Sequence, residues 1–255
     1  METANFKNTE INHAERDAVY KTIYGRRDVR SFFKPDPIPQ EVLARILKAA
    51  HHAGSVGYMQ PWNFIVVENP TLKKKVKDSF EKERADAAQL FDPEKRGRYL
   101  SFKLEGILES PINLVVTCDP KRFGPQVIGR HAIPETDVYS TCCAIQNLWI
   151  AARAENIGVG WVSIVKRDDL REIFQIPAGI TIVAYLCLGY VTHFPGEPDL
   201  ERAGWGKRLA LEELVSFNQW CGTPPDGWEN FHFLLREKYK RTGSKRDGFT
   251  RKTVP

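Results

Sequence analysis

The sequence predicts an α+β fold, on three observations. Four apolar stretches of strand length, 62–67, 112–117, 159–164 and 181–191, are short and rich in β-branched residues. Helical stretches lie among them without the regular βαβ alternation of a doubly wound sheet. No Gly-x-Gly-x-x-Gly run follows any strand, which excludes a dinucleotide-binding βαβ unit.

Each element has its own warrant. The first twenty residues are polar and mixed in charge, so no export signal is expected there. From Pro39 to Ala53, Val42, Leu43, Ile46, Leu47 and Ala50 recur at helical spacing, and Gly54 supplies a C-terminal stop. Trp62 to Val67 reads as a buried strand and Ile112 to Thr117 as another. Between them, 71–106 is highly charged and predicts a helix followed by a polar segment that could stand clear of the core, as a lid does. Asp137 to Asn156 is helical in length and closes on Gly158, yet its middle is almost wholly apolar or small. A helix apolar on every face must be enclosed on every face, so a central position is expected, covered in part by a second subunit. A strand at 159–164, a short helix capped by Asp168 and a strand from Thr181 to Val191 complete the body. The apolar runs near 142–152 and 180–191 fall short of the ~20 residues that a bilayer span needs.

With 42% hydrophobic and 27% charged residues among 255, the chain is expected to form one globular domain with excursions, residues 1–227. Net charge is +5, but Arg236 to Pro255 carries eight basic and two acidic residues, leaving 1–235 at −1. The charge therefore belongs to a basic tail, 228–255, expected to be disordered, and a nucleic-acid partner is not expected. The five cysteines include no C-x-x-C pair, which argues against a zinc finger or disulfide framework and for a reducing cytoplasm. Cys142 and Cys143 read as small core residues. His51 and His52 read as packing and surface residues, and no metal is expected.

Two segments carry chemistry. Arg26-Arg27-Asp28-Val29-Arg30 sets three guanidiniums within five residues beside Gly25, and guanidinium forks match phosphate oxygens; the same pattern also suits a solvated basic turn. Gly54-Ser55-Val56-Gly57-Tyr58-Met59-Gln60-Pro61-Trp62 is a glycine-punctuated loop between helix and strand. Together with Gln146-Asn147-Leu148, Gly158-Val159-Gly160-Trp161 and a late Lys207-Arg208 stretch, these segments resemble the nitroreductase-like FMN enzymes over roughly residues 16–217. Asp28, His51-His52-Ala53 and Gly160-Trp161-Val162-Ser163-Ile164 narrow the resemblance to the BluB-type 5,6-dimethylbenzimidazole synthases. Gly54 departs from that pattern, where proline is usual, and so does the extension beyond about Gly227.

The resemblance implies a nitroreductase-like fold, with a mostly antiparallel central sheet flanked by helices and a lid excursion, in a homodimer. It implies that reduced FMN is the substrate, fragmented with dioxygen to 5,6-dimethylbenzimidazole, the lower ligand of vitamin B12. Arg26, Arg27, Arg30 and Arg208 would hold the phosphate. Ser55, Met59 and Gln60 would approach the flavin from the partner subunit, and Val29 and Gly160 to Ser163 would line it. A carboxylate among phosphate-gripping arginines weakens net attraction to a dianion, so Asp28 is expected to act as a base, kept ionised by its neighbours. Ser163 would hydrogen-bond the flavin or its oxygen adduct. Pro93 to Leu100 would close over the site. The electrons would come from NAD(P)H, directly or through a separate flavin reductase. Two other functions fit the same residues: an NAD(P)H-dependent nitroreductase or flavin reductase that recycles its FMN, and a binding module that holds FMN or uses the basic tail.

Overall fold

Four strands, β1 (Trp62–Val67), β2 (Ile112–Cys118), β3 (Ile157–Val162) and β4 (Thr181–Tyr190), make one antiparallel sheet in the order β1-β2-β4-β3. They belong to a computed structural model that describes residues 10–236. The described chain divides into two compact units after Pro198.

Every residue of β2 is buried, and alternate residues of β2 and β4 feed two separate cores. On one face Leu114, Val116, Leu186 and Leu188 meet α2 (Gln40–His51) and α5 (Thr136–Ala154). On the other, Val115, Tyr185 and Cys187 meet α3 (Pro70–Ala88), α6 (Arg167–Ile173) and Ile107. A sheet covered on both faces explains why its central strands read as continuous apolar runs. The mixed order of helices and strands is thus an α+β architecture, as expected.

Several boundaries shift for physical reasons. Helix α1 (His13–Gly25), which the polar N-terminal sequence did not suggest, is started by a capping box: Asn12 accepts from the Ala14 and Glu15 amides, and Glu15 accepts from the Asn12 amide. Asp168 lies in the first turn of α6, where its charge complements the helix dipole, rather than at the cap, which is Lys166. The excursion 71–106 does not stand clear as a whole. Val76 and Phe80 of α3 are fully buried in the second core, so only α4 (Pro93–Ser101) and its flanks are left as a lid candidate. Helix α5 is enclosed on three sides only; Tyr139, Cys142, Cys143 and Gln146 are exposed, which corrects the reading of both cysteines as core.

The second unit holds α7 (Asp199–Arg202), a short turn at 211–213 and α8 (Phe231–Arg236). Phe217, Trp228 and Phe231 cluster there, and Arg236 pairs with Glu212 at 2.9 Å. The expected disorder from 228 onward therefore does not hold for 231–236; the basic tail from 237 lies outside the described residues. Among the described residues no helix is long and apolar enough to cross a membrane.

Candidate active site

The arginine segment is built onto the free edge of β3. Asp28 bridges Val159 in parallel sense, and the Val29 amide donates to the Val159 carbonyl at 2.9 Å. Burial of Val29 draws the strip inward, and two glycines admit it. A Cβ at Gly160 would stand 2.1 Å from the Val29 oxygen, and one at Gly158 would stand 3.2 Å from the Val29 side chain and 2.6 Å from Val191. This close approach brings Asp28 to the strand. Its Oδ1 accepts the Trp161 amide at 3.0 Å, and its Oδ2 pairs with Arg30.

The guanidiniums are only partly used. Arg27 donates to the carbonyls of Tyr24 at 2.8 Å, Arg26 at 2.7 Å and Gly196 at 2.5 Å, while its Nε, like that of Arg30, is buried without a hydrogen-bond partner. Two orphaned cationic donors within four residues are what an oxyanion would satisfy. Ser163, one residue past the end of β3, is exposed, and Trp161 is half-buried beside it. The strip also rests on the second core. A Cβ at Gly106 would meet the Phe33 ring at 2.5 Å and the Arg30 oxygen at 3.1 Å. Next to it, burial pushes the Glu105 carboxyl up, but hydrogen bonds from Lys103 (2.7 Å), Lys77 (2.8 Å) and the Ile107 amide (2.8 Å) outweigh it and hold the group below the usual carboxylate range. Full burial pushes the Cys187 thiol up to about 12, so it is inert.

The second segment is a strained loop. Gly57, Tyr58 and Gln60 all have left-handed backbone, with φ of 58°, 54° and 45°. Ser55 Oγ accepts the Gln60 amide at 3.1 Å, Ser140 Oγ accepts the Val56 amide at 3.1 Å, and Arg122 donates to the carbonyls of Gln60 (2.8 Å) and Trp62 (3.1 Å) and to Asn63 Oδ1 (2.6 Å). Two non-glycine residues held left-handed cost about 1–2 kcal/mol each, and such strain is typical of functional loops. Gln60 borders a cleft of about 470 Å³ between α2 and β1, with Lys48, His51, Trp62 and Arg122. His51 there accepts from Trp62 Nε1 at 3.1 Å, a packing role. Among the described residues no three His, Cys, Asp or Glu side chains are grouped to hold a metal.

The structure brings Arg26, Arg27, Asp28, Arg30, Trp161 and Ser163 together at the β3 edge. Ser55 and Gln60 are elsewhere: their loop enters β1, the opposite edge of the sheet. Four strand spacings of ~4.8 Å separate β1 from the strip, or about 19 Å, so one chain does not gather both segments around one small ligand. Met59, Val29 and Val162 are 1–2 % exposed and act as anchors; the expectation that they contact a flavin is corrected to that extent. Arg208 belongs to the second unit, where it is exposed. Sequence reasoning missed Arg122, Trp149 and Arg153, whose side chains bond to the main chain of the two segments; no spacing signal marks such partners.

Residues 23–190 match the family model described as the nitroreductase family. The 5,6-dimethylbenzimidazole synthase of Rhodospirillum rubrum is 40% identical over 193 residues, covering 76% of this chain and 91% of that protein. Among solved structures, iodotyrosine deiodinase bound to FMN and 3-iodo-L-tyrosine superposes with a TM-score of 0.62 at 20% identity over 79% of this chain and all of that one. A BluB-like flavoprotein from Clostridium difficile superposes with a TM-score of 0.59 at 20% identity, covering 79% and 99%.

Proposed function

The chain belongs to the nitroreductase family and, within it, to the group of 5,6-dimethylbenzimidazole synthases, and from that premise we propose that it fragments reduced FMN with dioxygen to release 5,6-dimethylbenzimidazole. The observation that carries this reading is Asp28, a carboxylate fixed by the Trp161 amide and by Arg30 inside a phosphate-type arginine strip. Bound reduced FMN supplies both the electrons for dioxygen and the carbon skeleton of the product.

The chain's own residues do the rest. The buried Nε groups of Arg27 and Arg30 fit a phosphate ester, with Arg26 on the same strip. Anchoring the phosphate there places the sugar chain along the strip, within reach of Asp28. Held by the Trp161 amide at Oδ1 and by Arg30 at Oδ2, the Asp28 carboxylate takes a proton from the sugar chain. Ser163 donates its hydroxyl to the ring portion and orients it toward dioxygen. Pro93–Leu100 closes over the site and keeps water out.

The active species is a homodimer in this reading. Ser55 and Gln60 lie at the opposite sheet edge from the strip, and α5 leaves Tyr139, Cys142 and Cys143 exposed, as a two-fold contact requires. Five free cysteines support a cytoplasmic setting. NAD(P)H, through a separate flavin reductase, supplies the reduced substrate. Mixing the pure chain with excess reduced FMN in air tests the proposal: dimethylbenzimidazole is the expected product, and FMN reoxidised without fragmentation would replace this reading with a flavin-recycling reductase.

A further inference from the structure

Apart from one bridge at Asp28, the strip 26–30 has no regular structure, so its arginines need an outside support. Two side chains one turn apart on α5 provide it. Trp149 Nε1 donates to the Arg27 carbonyl at 3.2 Å, and Arg153 Nε donates to the Gly25 carbonyl at 3.1 Å. Arg153 is itself held over the Phe194 ring at 3.9 Å. The Trp149 ring also lies 4.8 Å from the Arg26 guanidinium carbon and 6.4 Å from the Trp161 ring. One indole thus meets the main chain of Arg27, the guanidinium of Arg26, and the Trp161 ring on β3.

The geometry of stacking matters. A guanidinium lying on an aromatic face keeps its N–H donors in its own plane, directed away from the ring, while losing much of the rotamer freedom that binding would otherwise have to remove. We propose that Trp149, aided by Arg153, is a positioning residue that presets Arg26 and Arg27 for a phosphate ester and thereby sets the preference for FMN over unphosphorylated riboflavin. This inference rests on the flavin reading above. It goes beyond that reading because Trp149 touches no ligand and acts through the two arginines.

Anaerobic titration calorimetry with reduced FMN and reduced riboflavin separates the outcomes. In the unaltered chain FMN is expected to bind more tightly. Trp149→Leu removes ring and donor, and is expected to weaken FMN about tenfold while changing riboflavin less than twofold. Trp149→Phe keeps a stacking face but loses the N–H, and the FMN-to-riboflavin ratio is expected to fall a few-fold. A merely structural role would weaken both ligands equally and leave that ratio unchanged, which would overturn the inference alone. If Trp149→Leu does not fold by circular dichroism, the ratio for Trp149→Phe decides the matter. Failure of the unaltered chain to bind either flavin would overturn the flavin reading, and this inference with it.

Discussion

At the scale of single residues the proposal stands on Asp28. Asp28→Asn keeps the acceptor for the Trp161 amide but has no basic oxygen, so the strip should remain on β3. Reduced FMN should bind within a few-fold of native affinity while formation of dimethylbenzimidazole falls by 10²-fold or more, the size of a lost general base. Retained product yield in that variant would remove Asp28 from the chemistry. Gly160→Ala tests the platform instead. Its methyl would have to displace the Val29 carbonyl, and we expect about 2–3 kcal/mol of lost stability, a fall in melting temperature of about 5–10 °C, and weakened FMN binding. Asp28 and the glycines were legible as a motif in the sequence. The bonds that make them a site were not, because the partner of Asp28 Oδ1 is a main-chain amide 133 residues away.

Secondary-structure elements separate into those that hold the site and one suited to cover it. Strands and helices with strong periodicity were legible: α2, β1, β2, α5, β3 and β4 fall within a few residues of the expected ranges. Helix α3 misled because its charge masks a buried face of Val76, Ser79, Phe80 and Ala88, in which even Lys73 is buried, its ammonium donating to the Ser110 carbonyl. This divides the excursion at α4, whose flanks are tied down by Arg84 donating to the Phe102 carbonyl at 2.9 Å and Arg96 to the Ala88 carbonyl at 3.1 Å. Replacing Pro93–Leu100 with a short glycine-serine linker should lower benzimidazole yield per FMN consumed and raise hydrogen peroxide release, with the fold intact; an unchanged yield would refute the lid. Glu105 anchors the return of this excursion. Its folded-state acidity is depressed, so the stability it contributes is fully present above its unfolded pKa of about 4.3 and is lost as pH falls through the lower folded value. Glu105→Gln leaves Lys77 and Lys103 facing a neutral group. The variant should be about 2–3 kcal/mol less stable in urea unfolding at pH 7, and that gap should shrink toward zero below about pH 4.

For the whole molecule the proposed reaction requires that two segments on opposite sheet edges work together. Composition and periodicity could not reveal this, because neither encodes strand order; the apolar excess of α5 was the one legible hint of a partner. If two chains share each site, the strip of one protomer works with the loop of the other, and a complementation experiment follows from symmetry alone. Asp28→Asn disables a strip, and Gln60→Asn alters a loop at a position whose left-handed backbone asparagine tolerates. Each variant alone should be nearly inactive. After mixing under conditions that exchange subunits, half of the dimers are mixed. Each mixed dimer has one site with both lesions and one with neither, so about one quarter of native activity should return. Cys142→Glu, which sets a charge on the exposed face of α5, should sediment as a folded monomer and restore nothing in the same mixture. A site complete within one chain gives no recovery at any ratio of the two variants, since every copy then carries its own lesion.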